Sequence, residues 1–458
     1  MSQTPSIDAV LERMQSYGDR TAVHYCREEM SYTEFLQLVS EWETRLRSEY
    51  QITPGKVVAV LGEFSPNVCA TFFALMRLKA IIVPFTMAIK NEIPELISIG
   101  KVQCQFTFDP DDRWTFEDFG TEEVNDLVAK FRERDLPGLI VFTSGSTGKK
   151  KGILHDCERV MKKFVDERKG WKTSLFLMMD HFGGFNTFLS AFAYGGVAVC
   201  LQDRQPDSVC ETIEQSGADL LPTTPTFLNL LLASRCYLER DISSIELISY
   251  GTEVMSGSTL DKLRQIFPKA RLKQTYGLSE LGVVRSRSKG DSSLMLKIGG
   301  SGFEVKVIDN MLWIRSEANM IGYLNAPNPI QEDGWMCTGD QVEVEGDYMR
   351  IIGRKSDMIN VGGQKVFPVE VENVLLSDEN VKDAAVFAAK HPVMGQVVHT
   401  KILLNTPEKK SEVLERLRAL CMKRLTKFKV PVKFIIEASE GVHNERFKKV
   451  RRSEELTT

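Results

Sequence analysis

A chain of 458 residues is too long for one ordinary domain, so two or three are expected. Its 43% hydrophobic and 26% charged residues supply a large core under a wettable surface. The formal net charge of −4, with Lys and Arg interleaved among Asp and Glu, offers no basic face for nucleic acid, and no apolar run approaches the ~18 residues that span a bilayer.

The opening MSQTPSIDAV has no basic segment ahead of an apolar one and is not expected to act as a secretory signal. Nine cysteines are scattered without a CxxC pair: Cys26, Cys69, Cys104, Cys157, Cys200, Cys210, Cys236, Cys337 and Cys421. That pattern argues against a disulfide framework or a zinc ribbon and for reduced thiols in a cytoplasmic protein.

In chain order, Val57–Gly62 is the first clear strand. Ser65 and Pro66 then supply an N-cap and a first-turn proline for a helix reaching about Ala80. Strands are expected again at Ile81–Phe85, Leu139–Phe142, Leu175–Met179, Val197–Leu201, Leu220–Thr223 and Leu247–Tyr250. Helical stretches such as Asp207–Gln215 and Thr259–Phe267 lie between them. This alternation predicts an α/β fold, with parallel-rich sheets flanked by helices.

After about Asp340 the pattern changes to short alternating strands, Val342–Val344 and Tyr348–Ile352, which predict a small antiparallel region. A compact α+β segment follows through Val366–Leu376, Ala384–Ala389, His399–Leu404, a helix over Ser411–Leu425, and Val432–Ile436. The polar turn Gly353–Asp357 marks the expected boundary, giving a large domain over 1–355 and a small mobile C-terminal domain over 356–458, with ligands between them.

The stretch Val141–Gly152, VFTSGSTGKKKG, carries the chemistry. A buried strand enters a loop of small hydroxyls and glycines that ends in three lysines. Glycines let the backbone approach a ligand, successive N–H groups curl around phosphate oxygens, and a lysine adds charge. A Walker loop would need four residues between its first glycine and the Gly-Lys pair, with Ser or Thr after them. Only two separate Gly145 from Gly148-Lys149, and a lysine follows, so that reading fails.

Thr143 to Gly152 resembles the phosphate loop [ST]SG[ST]TGxPKG of the adenylate-forming superfamily: acyl- and aryl-CoA synthetases, peptide-synthetase adenylation domains and firefly luciferase. Lys150 stands where that family has proline. The resemblance implies that Thr143, Ser144, Gly145, Ser146, Thr147, Gly148 and Lys151 hold the phosphates of ATP. Tyr276-Gly277-Leu278-Ser279-Glu280 looks like the family's YGxTE, which implies Tyr276 on adenine, Ser279 at the α-phosphate and Glu280 on Mg²⁺. A carboxylate beside phosphates suits that ion, which keeps waters and takes one or two protein oxygens.

Gly251-Thr252-Glu253 falls where the family lays backbone against adenine. Trp335–Asp340 resembles GWxxTGD, implying Asp340 on the ribose hydroxyls, and Gly353-Arg354 resembles the GR that puts Arg354 on the same ribose. Gly362–Pro368 matches GGxxxxP, so the resemblance covers nearly the whole chain. Ser356 departs from the Asp or Lys usual at the hinge.

The tail Asn444–Arg452 reads alone as a solvated basic run. Aligned to the family's RFGKxxR, it makes Lys449 the catalytic lysine, with Lys448 the choice if the register shifts by one. An ammonium there would neutralise charge arising as a carboxylate attacks the α-phosphate.

The acyl pocket is implied around Asp180–Asn186, with His181 near the reacting carboxylate and Phe182, Gly183, Asn186, Thr224, Gly251 and Gly277 lining the substrate. Enzymes of this family that activate α-amino acids carry aspartate where Phe182 stands. An ammonium buried there without a carboxylate would cost several kcal/mol, so an α-amino acid is disfavoured. Aryl and short-to-medium aliphatic acids both remain.

The expected reaction is ATP-dependent formation of acyl-AMP, followed by transfer to a thiol, with CoA preferred on the ligase-like HFGG. The alternative acceptor is the phosphopantetheine arm of an acyl or peptidyl carrier protein. A non-catalytic nucleotide-binding relative is a third reading, against which stand the retained Thr143, Lys151, Glu280, Asp340, Arg354 and Lys449.

Overall fold

Alternating apolar runs and capped amphipathic helices assemble into two large sheets in the computed structural model, which describes residues 6–144, 149–290, 293–300 and 302–437. One seven-stranded sheet has the order Arg271–Gln274, Leu247–Tyr250, Leu220–Thr223, Lys172–Ser174, Val197–Val199, Thr21–Tyr25 and Glu28–Ser31, parallel except for its last pair. The other runs Gly322–Tyr323, Lys150–Asp156, Gly138–Ser144, Ile81–Phe85, Val57–Leu61, Cys104–Phe108 and Trp114–Asp118, with four parallel strands at its centre. The Val57–Leu61 and Ile81–Phe85 strands are buried along their whole length, as parallel strands covered on both faces must be.

The helix Pro66–Arg77 starts as its sequence dictates: Ser65 accepts from the Val68 N–H, and Pro66 occupies the first turn. Helices Pro206–Ser216 and Gly257–Ile266 lie within a few residues of expectation.

One expected strand is corrected. Leu175–Met179 is irregular, and the strand there is Lys172–Ser174. The Phe176 N–H turns back to the Ser174 carbonyl (2.8 Å), and the Phe176 carbonyl accepts from Arg204 Nε (2.6 Å) instead of a neighbouring strand. Arg204 is itself held by Glu63 at 2.7 Å. The run is apolar because it is buried, and a buried guanidinium satisfies backbone that a ladder would otherwise take.

A six-stranded antiparallel sheet spans Ser286–Arg354, in the order Ser286–Ser288, Leu296–Ile298, Tyr348–Arg354, Trp335–Glu345, Met311–Ser316 and Phe303–Ile308. A single turn, Lys355–Asp357, then leads to a five-stranded sheet whose long strands Val381–His391 and Gly395–Leu404 carry helices Pro368–Leu375 and Lys410–Arg424. These elements share their own apolar core, including Ile359, Val371, Val386, Leu417 and Phe434. The fold is thus a large N-terminal α/β domain with a smaller C-terminal α+β domain. Among the described residues, no helix is long and apolar enough to cross a membrane.

Candidate active site

The strands on either side of residues 145–148 form an antiparallel pair. Strands Gly138–Ser144 and Lys150–Asp156 are in register, with Thr143 opposite Lys151. Gly145, Ser146, Thr147 and Gly148, between them, lie outside the described residues, as do Lys448 and Lys449. Lys150 Nζ is 2.6 Å from the Glu92 carboxylate. Asn325 spans the same strand, donating to the Lys150 carbonyl (2.8 Å) and accepting from the Gly152 N–H (3.1 Å). Lys151 Nζ stands 5.0 Å from the Tyr323 ring centroid, within cation–π range. Thr143, Lys150 and Lys151 all face a cavity of about 1420 Å³.

A short ribbon, Tyr276–Leu278 paired with Gly282–Val284, forms a second wall and puts Ser279 and Glu280 in its turn. Gly277 permits the pairing, since a Cβ there would fall 2.7 Å from the Gly282 carbonyl oxygen. Glu280 accepts from the Tyr323 hydroxyl at 2.6 Å, which fixes a carboxylate at the cavity wall. Among the described residues, no cluster of three His, Cys, Asp or Glu side chains could hold a metal by itself. One oriented carboxylate fits Mg²⁺ that brings phosphate oxygens as its other ligands.

Ser279 is held from behind by a residue that sequence reasoning missed. His155 is 1% exposed, and its Nε2 lies 2.7 Å from the Ser279 carbonyl; because a carbonyl only accepts, Nε2 carries the proton. Burial pulls this imidazole from 6.5 down to about 4, partly opposed by the Ser279 bond. The unfolded chain therefore binds a proton that the folded one refuses. Stability from this group is complete above about pH 6.5 and falls as pH drops toward 4, by about 3 kcal/mol in all. Urea unfolding near neutrality and near pH 4 is expected to show that much more acid loss in the wild type than in His155→Gln. Equal losses would refute the assignment.

Tyr276, Asp340 and Arg354 meet at the next corner. Asp340 and Arg354 are cross-strand partners in the antiparallel sheet. Asp340 accepts from the Tyr276 hydroxyl (2.5 Å) and pairs with Arg354 Nε (3.3 Å). Burial raises the Asp340 carboxyl, while the Arg354 guanidinium and the Tyr276 hydroxyl oppose that rise. Tyr276 and Arg354 face the cavity, and Asp340 stands behind them at 5% exposure.

Gly251 and Thr252 also face the cavity. A Cβ at Gly251 would lie 2.4 Å from Thr275 Oγ1, so no larger residue fits without a shift. Thr252 has φ +69, a left-handed conformation that disfavours a β-branched residue and stores strain of about 1–3 kcal/mol. Glu253 points elsewhere: its carboxylate accepts from the Thr226 hydroxyl (2.6 Å) and lies off the cavity wall.

His181 precedes helix Phe182–Ala193, whose first two turns bring Phe182, Gly183 and Asn186 to the wall. Gly184 lets that helix dock, since a Cβ there would sit 2.0 Å from the Met178 carbonyl oxygen. Thr224 reaches the cavity while its hydroxyl caps the helix Pro225–Ser234 through the Phe227 N–H (3.1 Å).

Residues 10–324 match the family model described as AMP-binding enzyme, and residues 370–445 match the AMP-binding enzyme C-terminal domain. The chain belongs to the AMP-binding enzyme family. Indoleacetate–CoA ligase of Aromatoleum aromaticum is 26% identical over 433 residues, covering 83% of this chain and 84% of that protein. The 2-succinylbenzoate–CoA ligase of Bacillus velezensis is 24% identical and covers 93% of both chains. Among solved structures, an anthranilate CoA ligase in complex with anthranoyl-AMP superposes with a TM-score of 0.82 at 18% identity, covering 97% of this chain and 95% of that one. The o-succinylbenzoate CoA synthetase of Bacillus subtilis with its acyl-adenylate gives 0.76 at 21% identity, covering 98% and 97%. These two share the fold.

The supports of this AMP-binding enzyme's cavity were the part hidden from sequence reasoning. Tyr323 behind Glu280, Glu92 behind Lys150 and His155 behind Ser279 lie far along the chain from the groups they hold. None belongs to a periodic or motif-like stretch.

Proposed function

We propose that this AMP-binding enzyme activates an aryl or short-to-medium-chain aliphatic carboxylic acid with ATP and passes the acyl group to the thiol of CoA. The observation that carries this reading is that Thr143, Lys151, Tyr276, Glu280, His181 and Phe182 line one cavity. In the first step a carboxylate oxygen attacks the α-phosphorus and the bond to pyrophosphate breaks. In the second the CoA sulfur, having lost its proton, attacks the acyl carbon and AMP leaves.

Each wall has a task in this reading. Thr143 and Lys151, with the loop between them, bind the phosphates; Tyr276 and Thr252 contact adenine; Asp340 and Arg354 hold the ribose. Ser279 contacts the α-phosphate, and His181 orients the acid. Glu280 would hold Mg²⁺, which when bound supplies charge neutralisation for the phosphates. The small domain begins near residue 356 in this proposal, supported by its separate core, and its Lys449 serves the adenylation step. Names of relatives such as indoleacetate–CoA ligase support CoA as acceptor. A cytoplasmic location belongs to the same proposal.

Pyrophosphate release is the test, with ATP, Mg²⁺ and a panel of aryl, aliphatic and amino acids, hydroxylamine as trap, then CoA in its place. Release with one aryl or aliphatic class, and a CoA thioester as product, is expected. Turnover confined to α-amino acids, or ATP binding with no release for any acid, would overturn the reading.

A further inference from the structure

A group of cations that adenylation does not use lines the same cavity. Lys163, on the turn Lys162–Phe164, reaches the wall with Nζ 6.0 Å from the Phe182 ring centroid and 5.2 Å from that of Phe164. Arg168, Lys169, Lys273 and Arg285 come to the same cavity from three other segments. Two of these have carboxylate partners outside it: Lys169 pairs with Glu246 at 2.6 Å and Arg285 with Asp166 at 3.4 Å. Lys163, Arg168 and Lys273 have no carboxylate partner among the described residues; Arg168 rests only on the Tyr194 ring, 5.7 Å from its centroid.

Like charges gathered around one cavity repel one another, and the half-buried Lys163 and Arg285 feel it more than the exposed Arg168, Lys169 and Lys273. The effect is visible on Lys163, whose ammonium is pulled down to about 7 by burial and then by Arg168 and Arg285. Lys273 is lowered too, by desolvation and then by Arg168 and Arg271. An arrangement of this kind is relieved by an anion.

We propose that the acid this enzyme activates carries a second carboxylate, which Lys163 binds at the end of the acyl pocket within the positive field of Arg168, Lys273 and Arg285. The proposal rests on the ligase reading and narrows its substrate to dicarboxylic acids. The aromatic walls Phe182, Trp171 and Tyr194 would flank the carbon skeleton between the two carboxylates.

The test compares matched pairs, each a dicarboxylic acid and the same acid with its far carboxylate replaced by methyl, in the hydroxylamine-trapped half reaction without CoA. The wild type is expected to favour the diacid in kcat/KM by about 30-fold or more, the scale of one charge-assisted pair. Lys163→Met is expected to bring that ratio near one. Arg168→Gln, at an exposed position, gives a second reading if Lys163→Met does not fold, with the ratio reduced several-fold. Wild-type turnover of monoacids as good as that of diacids overturns the inference and leaves the ligase reading standing. A raised KM for CoA with an unchanged diacid preference in Lys163→Met would assign the cations to the phosphates of CoA and likewise overturn it. No release with any acid overturns both readings.

Discussion

Replacing Asp340 by alanine is expected to lower kcat/KM for ATP by roughly 100- to 1000-fold, as two charge-assisted hydrogen bonds to ribose hydroxyls would require. The effect has a structural component as well. The Asp340 carboxylate accepts from the Tyr276 hydroxyl and faces Arg354 across two paired strands. Alanine leaves a buried phenol without an acceptor, a loss of about 1–3 kcal/mol, and lets the guanidinium swing from its register position. Asp340→Asn keeps an acceptor for Tyr276 and removes only the charge. It should therefore recover most of the urea stability while still binding ATP poorly. Unchanged ATP kinetics in both variants would remove Asp340 from the nucleotide site.

The second large effect is expected at Lys449. Carboxylate attack on the α-phosphate develops charge on the bridging oxygens, and removing one positioned donor from such charge costs about 10²–10³ in rate. Lys449→Ala should lose that factor in pyrophosphate release, with little change in ATP affinity measured by calorimetry. Lys448→Ala should retain most activity. The reverse pattern would shift the register of the tail by one residue. Loss in neither variant would place the adenylating charge elsewhere, with Lys151 as the first alternative.

What could be read from the sequence was what lies contiguous in it. Ile81–Phe85, Leu220–Thr223 and Leu247–Tyr250 appear as strands within the expected limits, because uninterrupted apolar runs between turn residues leave few other structures. Ser65-Pro66 announces a helix start through chemistry confined to four residues. Leu175–Met179 has the same apolar signature and is no strand: it is buried in the core, and the Phe176 carbonyl takes its hydrogen bond from Arg204. Apolar composition reports burial and says nothing about where the backbone hydrogen bonds go. The motif residues Thr143, Lys151, Tyr276, Ser279, Glu280, His181 and Arg354 share one cavity. The loop and the tail lysines lie outside the described residues. The cations around Lys163 come from separate segments, each an ordinary charge in its own neighbourhood, so only tertiary structure brings them together.

The strand after the phosphate loop carries a consequence for how this sequence can drift. Where relatives in the superfamily stiffen the backbone with proline, this chain holds Lys150 by the Glu92 carboxylate and by Asn325 on its carbonyl. The two solutions are not one substitution apart. Proline at position 150 would keep the carbonyl that Asn325 reads and strand Glu92 without its counter-charge, while a neutral residue at 92 would leave the lysine untethered. The ion pair thereby couples two positions separated by 58 residues, so that the effects of exchanging them are not additive. With both side chains partly exposed, the coupling is about 1 kcal/mol.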